Sequence, residues 1–357
     1  MSAFKQIVKT EFIRYFYSPL AFVYLICFLL LNGLFAFYFG HFFERERADL
    51  LSMFAFQPWL YILFVSGIAM RSWAEEFRSK TILQIATLPI PLSYFVWGKF
   101  FATWLFCLFA LVLTSPFWIT VNILGSPDNS VITAGYFASL MLSGCMLAIA
   151  QTMSALTKNQ IVALVLSVLV NLLFFMSGFD LVLDIFRGVL APSLVDMIAS
   201  FSFLTHFSTM SAGLLELRDI VFFGSLIILF NLTTLLIVSY RTAGTTRWLK
   251  TSKRNYYIVA FVGLLLGFCG INLIANIYLR QIKIDFTEEK MFSLTSSTRK
   301  IIRDLKGPIV ARLYYSPVLG ERNPDARLYF DRIRLLLQQY AALSRGKIEI
   351  KIYKTFR

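Results

Sequence analysis

Apolar residues fill this chain in seven long blocks separated by short polar stretches. Only beyond about residue 279 does the pattern break into short alternations. The blocks cover roughly 20–39, 53–70, 100–123, 132–155, 161–179, 220–240 and 257–277. Each approaches the ~20 apolar residues that a helix needs to cross a hydrocarbon layer of about 30 Å, so the pattern predicts seven membrane spans. Aromatic residues gather near the block ends, among them Tyr17, Tyr24, Trp59, Tyr61, Trp97, Trp104, Tyr256 and Tyr257. Ring side chains favour the headgroup level, which supports those boundaries.

Two polar regions flank the blocks. In residues 2–17, Phe4, Ile7, Val8, Phe12 and Phe16 recur at helical spacing, with Lys5, Lys9 and Arg14 elsewhere on the wheel. That predicts a helix lying in the interface plane before the chain turns in at Pro19; a plain N-terminal extension of the first span is the alternative. From 278 to 357 the pattern reads helix 296–305, strand 308–315, helix 326–343 and strand 347–353. Ile348, Ile350 and Ile352 alternate there with Glu349, Lys351 and Tyr353. This predicts the start of an α/β domain with about two strands, too few for a normally buried sheet. Either the chain is a fragment or a partner completes the sheet. The segment 180–219, with Asp180, Asp184, Arg187 and Asp196, reads as short amphipathic helices capping one face, one of them beginning at Pro192.

Composition agrees with a membrane protein. Hydrophobic residues make up 58% and charged residues 15%, against roughly 45–50% and 25% in soluble domains; mean hydropathy is +0.69. The formal charge of +14 comes from Lys and Arg in short blocks between apolar runs, which is how topology is written, and not from a nucleic-acid-binding surface. With the N-terminus inside, one side carries Lys5, Lys9, Arg14, Arg71, Arg78, Lys80, Lys99, Lys158, Arg241, Arg247, Lys250, Lys253 and Arg254. The other carries Arg45, Arg47, Arg187 and Arg218. The basic excess predicts a cytoplasmic N-terminus, and seven spans then place residues 278–357 outside. Cys27, Cys107, Cys145 and Cys269 lie in apolar runs without metal-ligand spacing and read as buried free thiols. No cleavable signal peptide is expected, because the first apolar run is too long for one.

The stretch from Arg71 to Phe101 interrupts the apolar pattern and is the most informative. Thr87-Leu-Pro-Ile-Pro91 must break a helix, and a short second helix, about Leu92 to Trp97, is expected to lead through Gly98-Lys99 into the next span. A brief helix held at the membrane surface can fit a groove on a soluble partner; an ordinary basic loop is the alternative. Glu75-Glu76, Arg78, Thr81, the Leu88-Pro89 break, Leu92, Phe95, Trp97 and Gly98-Lys99 resemble the coupling-helix segment of ABC type-2 permeases. Lys80 stands where that family commonly has glycine, and Leu83 where it commonly has glutamate. The resemblance covers about 1–245. It implies a six-helix permease bundle whose residues 86–97 dock on a separate ATPase subunit, with ATP and Mg bound on that partner, and with a second permease copy or homologous subunit.

After a basic cytoplasmic linker at 246–256, the seventh span leads to Ile284-Asp-Phe-Thr-Glu-Glu-Lys-Met-Phe-Ser-Leu-Thr295. This string, with Asp285, Thr287, Glu288, Glu289 and Lys290, is similar to the opening of the gliding-motility auxiliary subunit, the G component, over about 255–357. In that family a membrane anchor precedes a much larger outer α/β domain. The chain therefore resembles a fusion of permease and auxiliary subunit in a bacterial inner membrane.

No Gly-x-x-x-x-Gly-Lys-Ser/Thr loop occurs, so no ATP hydrolysis by that route is expected, nor any catalytic, metal or cofactor residue in this chain. Ionisable residues are scarce inside the spans, which argues against an ion-coupled carrier. Asn32, Asn122, Gln151, Asn171, Asn231 and Asn272 read as interhelical glue more readily than as ligands. Pro116 and Gly33 are expected at a kink and a close packing site. The expected architecture is thus an all-α polytopic permease bundle with a seventh span and a small, incomplete extracytoplasmic α/β domain. Its expected function is an ABC permease subunit; a non-transporting anchor of an envelope machine is the alternative.

Overall fold

A computed structural model of the chain describes residues 3–40, 42, 48–179, 182–183, 185, 199–242, 247–279, 282–288, 290, 298, 301–302, 304–305, 307–316, 329–330, 333–334, 336–337, 340–341, 344 and 347–354, and for 247–254 the backbone only. The chain falls into two compact units, Met1–Phe286 and Thr287–Arg357.

The first unit is a helical bundle. Its helices are α1 (Ala3–Phe16), α2 (Pro19–Leu34, closed by a π-helical turn Phe35–Phe39), α3 (Leu51–Ala69), α4 (Ala74–Arg78), α5 (Thr81–Thr87), α6 (Leu92–Val112), α7 (Ser115–Leu124), α8 (Asn129–Leu156) and α9 (Gln160–Met176). These are followed by α10 (Phe203–Ser211), strand β1 (Leu214–Glu216), α11 (Leu217–Thr242), α12 (Arg247–Tyr278) and strand β2 (Lys283–Asp285). Among the described residues, six helical stretches are long and apolar enough to cross a membrane: Pro19–Phe39, Leu51–Arg78, Leu92–Leu124, Asn129–Leu156, Leu217–Thr242 and Asn255–Tyr278. The expected fifth span is the shorter Gln160–Met176, 17 residues or about 25 Å of helix, at the lower limit for a crossing.

Helix α8 forms the centre of the bundle and packs against α3, α6, α9, α10 and α11. Small residues allow the close approach: a Cβ on Gly135 would stand 2.3 Å from the Phe54 ring. Polar side chains then tie α8 to α11. The Thr152 hydroxyl lies 2.9 Å from the Phe230 carbonyl and 2.8 Å from Thr234 Oγ1, and the Cys145 thiol donates to the Phe223 carbonyl at 3.1 Å. Phe28 stacks on Tyr61 and Phe64 between α2 and α3.

Several expectations change at this level. The 100–123 span is broken into α6 and α7 at Leu113–Thr114, because Pro116 has no N–H and its ring crowds the carbonyl one turn back. The stretch 247–256, expected as a linker, is helical and continuous with the seventh span; it contains neither Pro nor Gly to stop the helix. Helix α1 packs lengthwise on α6. Ile7 meets Gly98, Tyr15 meets Thr103 and Phe106, and Phe16 meets Phe109, so α1 runs alongside α6 in the same direction. Of the thiols, Cys107 and Cys145 are buried, but Cys27 is exposed.

Asn171 and Asn272 do bond across helices, to Ser66 Oγ at 3.4 Å and to Ser225 Oγ at 3.0 Å. Asn32 and Asn231 donate instead to carbonyls of their own helix, 2.9 Å away in each case. Asn122 donates to Trp118 O at 2.9 Å and to Asn129 Oδ1 at 3.1 Å. Gln151 is fully buried, with both amide atoms unbonded.

The second unit contains β3 (Ile309–Tyr315) and β4 (Ile348–Lys354), paired in parallel with Ile309 opposite Ile348. The described residues of the expected helix 326–343 are helical. Half of the helix 296–305, the cap helix at Pro192, and Asp180, Asp184, Arg187, Asp196, Arg45 and Arg47 lie outside the described residues.

Candidate functional site

The polar interruption after α3 folds as three helical pieces: α4, α5 and the opening of α6. Their junctions are set by individual residues. Ser154 of α8 holds the α3–α4 junction: its hydroxyl accepts the Trp73 and Ala74 N–H groups at 3.0 Å each and donates to the Met70 carbonyl at 2.9 Å. Two orphan donors at the start of a helix are thereby satisfied by a residue from another element. Between α4 and α5 the chain reverses at Lys80, whose φ of 62° is left-handed. That conformation favours glycine. The break between α5 and α6 falls at Leu88-Pro89-Ile90-Pro91, as the two prolines require.

No separate helix covers 92–97, however. Helix α6 continues from Leu92 through Gly98-Lys99 to Val112. Gly98 serves close packing, since a Cβ there would stand 2.6 Å from Ile7 Cγ2 of α1. Lys99 is only 4% exposed. Its ammonium lies 3.1 Å from Glu11 Oε1 of α1 and 3.1 Å from Glu76 Oε1 of α4, and 5.4 Å from the centre of the Trp73 ring. Arg14 adds a more exposed contact to the same Glu76 oxygen at 3.7 Å, and the Thr81 hydroxyl donates to Glu76 Oε2. A buried cation survives only when paired and hydrogen-bonded; two carboxylates from different helices meet that need.

Of the eleven residues expected on this segment, the structure brings Glu76, Thr81 and Lys99 together. Glu75 turns to another corner, where Gln160 Nε2 donates to it and Arg71 Nε donates to Gln160 Oε1 at 3.2 Å. Arg78 lines that corner as well. Phe95 joins Trp73, Phe77, Ile82, Val96, Ala155 and Val238 in a small core separate from that of the bundle, with Leu92 packed against it. Trp97 stacks on Phe101. Leu83, Leu88 and Tyr94 are 56%, 48% and 42% exposed. Arg241 closes the small core by donating to the Ala155 carbonyl at 2.5 Å and covering the Phe77 ring.

A cleft of about 780 Å³ opens beside this network. Glu11, Arg14, Arg71, Glu75, Glu76 and Lys99 line one part of it, and Leu20, Ala21, Tyr24 and Ile68 another. Tyr15 borders the cleft and hydrogen-bonds Thr103 at 2.8 Å; burial pushes its hydroxyl above the ordinary tyrosine range. Sequence reading missed Glu11, Trp73, Ser154 and Gln160. The available signal for Glu11 was a single acid on an otherwise basic helix.

A second charged cluster, also unforeseen, joins α10, β1, α11 and β2. Asp219, fully buried, lies 2.6 Å from His206 Nδ1 and 3.6 Å from Arg218 Nε. Glu216 lies 2.6 Å from Arg218 Nε and 2.5 Å from Lys283 Nζ. β1 and β2 pair antiparallel here, with Leu215 opposite Ile284, and this returns the chain after α12 to the bundle.

The motif expected to open the C-terminal domain starts within β2 at Asp285. Thr287 is buried, and the Lys290 N–H donates to the Thr287 carbonyl at 3.0 Å, closing a turn that includes Glu288 and puts Lys290 at φ 49°. Glu289 lies outside the described residues.

Comparison with known proteins adds one finding. Residues 288–356 match the model of a domain of unknown function (DUF7088), a stretch confined to the second compact unit. No curated protein and no solved structure matches the chain.

Proposed function

We propose that this chain is the membrane subunit of an ABC type-2-like complex, with its N-terminus in the cytoplasm of a bacterial cell and a separate ATPase docked on the α5–α6 surface. One observation carries the reading. The α4–α5–α6 segment shares a small core with α8 and α11, is clamped to the bundle by Lys99 and Ser154, and still leaves Leu83, Leu88 and Tyr94 exposed. A surface built that way can transmit a push from a soluble partner to α1, α6 and α8 together, because both clamps reach into those helices. Nucleotide chemistry belongs to the partner; this chain supplies the lever and the bundle that rocks. Membrane solubilisation and pull-down of the tagged full chain tests it. Leu83→Asp with Leu88→Asp should abolish co-purification of an ATPase while leaving insertion and yield unchanged. Undiminished co-purification in that variant would sink the docking role.

The second reading, an anchor through which a partner does mechanical work on the envelope, is favoured by the separate unit Thr287–Arg357 and its own family match. Deleting residues 287–357 separates the two. A transporter keeps its substrate-stimulated ATPase rate in the complex, whereas an anchor retains hydrolysis but loses the envelope phenotype.

A further inference from the structure

The basic residues of α1 fall into two groups. Arg14 is within reach of Glu11 and Glu76. Lys5 and Lys9, one helical turn apart and both exposed, have no acidic partner among the described residues. Neighbouring like charges at this spacing repel, so the pair gains from an anion placed between them. The stems of both lysines form the rim of a groove of about 440 Å³ between α1, α6 and α8. Its floor is apolar, made by Phe12, Phe101, Trp104 and Leu108 among others. The Trp104 indole N–H is already donated to the Leu140 carbonyl at 2.9 Å, so that ring offers the groove apolar surface without an unmet donor. From Phe101 to Leu108 the floor extends about 10 Å along α6. The groove is thus bordered along α1 by two cations and apolar in its lining, on the flank of two membrane-crossing helices.

We propose that this groove is a binding site for one anionic phospholipid, its phosphate between Lys5 and Lys9 and one acyl chain along Phe101, Trp104 and Leu108. The headgroup attraction is electrostatic and the chain supplies apolar burial, and the two contributions act together on one lipid. The site does not depend on any ATPase partner. It gives α1 a reason to carry two unpaired cations while Arg14, two turns on, is paired.

Native mass spectrometry of the delipidated full chain, offered equimolar phosphatidylglycerol and phosphatidylcholine, reads the site directly. Two lysines near a lipid phosphate correspond to about a thirtyfold preference for the anionic lipid. Lys5→Gln with Lys9→Gln should reduce that preference to near unity, while Lys158→Gln, which removes an exposed cation elsewhere, should leave it intact. Leu108→Trp should lower retention of both lipids by filling the groove. The proposal is overturned by equal retention of the two lipids on the unmodified chain, or by a preference unchanged in the double lysine variant. An equal loss with Lys158→Gln also overturns it, since that marks general surface attraction. Myristate displacing phosphatidylglycerol, or a lysine-dependent dimer appearing in place of lipid adducts, counts against it too. The glutamine changes are on exposed positions, so the test survives even if Leu108→Trp fails to fold.

Discussion

The Lys99 ammonium and the Glu76 carboxylate stand 3.1 Å apart, with 4% and 12% of their side chains exposed. This pair joins a membrane-crossing helix to the segment that follows the second span, and Glu11 makes it a three-helix contact. Lys99→Met leaves Glu11 and Glu76 facing the space of the lost cation. Removing one member of a buried pair costs about 3–5 kcal/mol. Glu76→Gln should cost less, because Lys99 keeps Glu11. Thermal unfolding in detergent checks the order of the two losses. If both variants melt with the unmodified chain, the network does not hold the segment.

Lys80 carries a second, opposite prediction. A left-handed conformation costs a non-glycine residue about 1–2 kcal/mol, and glycine's extra chain entropy returns roughly 0.5–1 kcal/mol of that. Lys80→Gly should therefore leave stability unchanged or raise it by up to about 1 kcal/mol, while Lys80→Val should lower it clearly. The same thermal measurement decides. A destabilised glycine variant would mean that the lysine side chain, and not the backbone turn, is what matters at this position.

These two residues also show how far the sequence could be read. The spans were legible because an apolar run of about 20 residues has few other fates, and the Leu88–Pro91 break was legible because proline cannot continue a helix. The expectation of a short helix over Leu92–Trp97, leading through Gly98-Lys99 into the next span, does not hold. The structure keeps the helix going because Ile7 fills the space above Gly98 and two acids from other helices neutralise Lys99. Those are tertiary facts with no local signature. The turn at Lys80 was missed because lysine seldom takes that conformation. Ser154 was missed for a related reason: a serine in an apolar helix gives no hint that it caps a different one.

Ser154→Ala should loosen the α3–α4 junction without touching the ion pairs. It removes one acceptor for two N–H groups and one donor to the Met70 carbonyl. Each group left buried and unpaired costs about 1–3 kcal/mol. Hydrogen exchange should show faster opening of residues 73–78 in this variant, with α6 and α8 unchanged. Protection equal to that of the unmodified chain would assign the junction to the packing of Trp73 and Phe77 instead.

His206 and Asp219 make the last prediction, in the second charged cluster. The ring sits between a carboxylate at Nδ1 and the Ser200 carbonyl, 2.9 Å from Nε2. A carbonyl can only accept, so Nε2 donates there, and the other nitrogen is left to meet Asp219. His206→Leu strands a fully buried Asp219 with, among the described residues, Arg218 at 3.6 Å as its remaining cation, at a cost of about 3 kcal/mol or more. Replacing both residues, His206→Leu with Asp219→Leu, removes the stranded charge along with its partner and should recover much of the loss, since apolar substitutes of a buried pair are often well tolerated. Melting temperatures of the two single variants and the double variant, closed as a cycle, give the coupling. Additive losses would show that the two side chains stabilise the fold independently and that their 2.6 Å contact contributes nothing of its own.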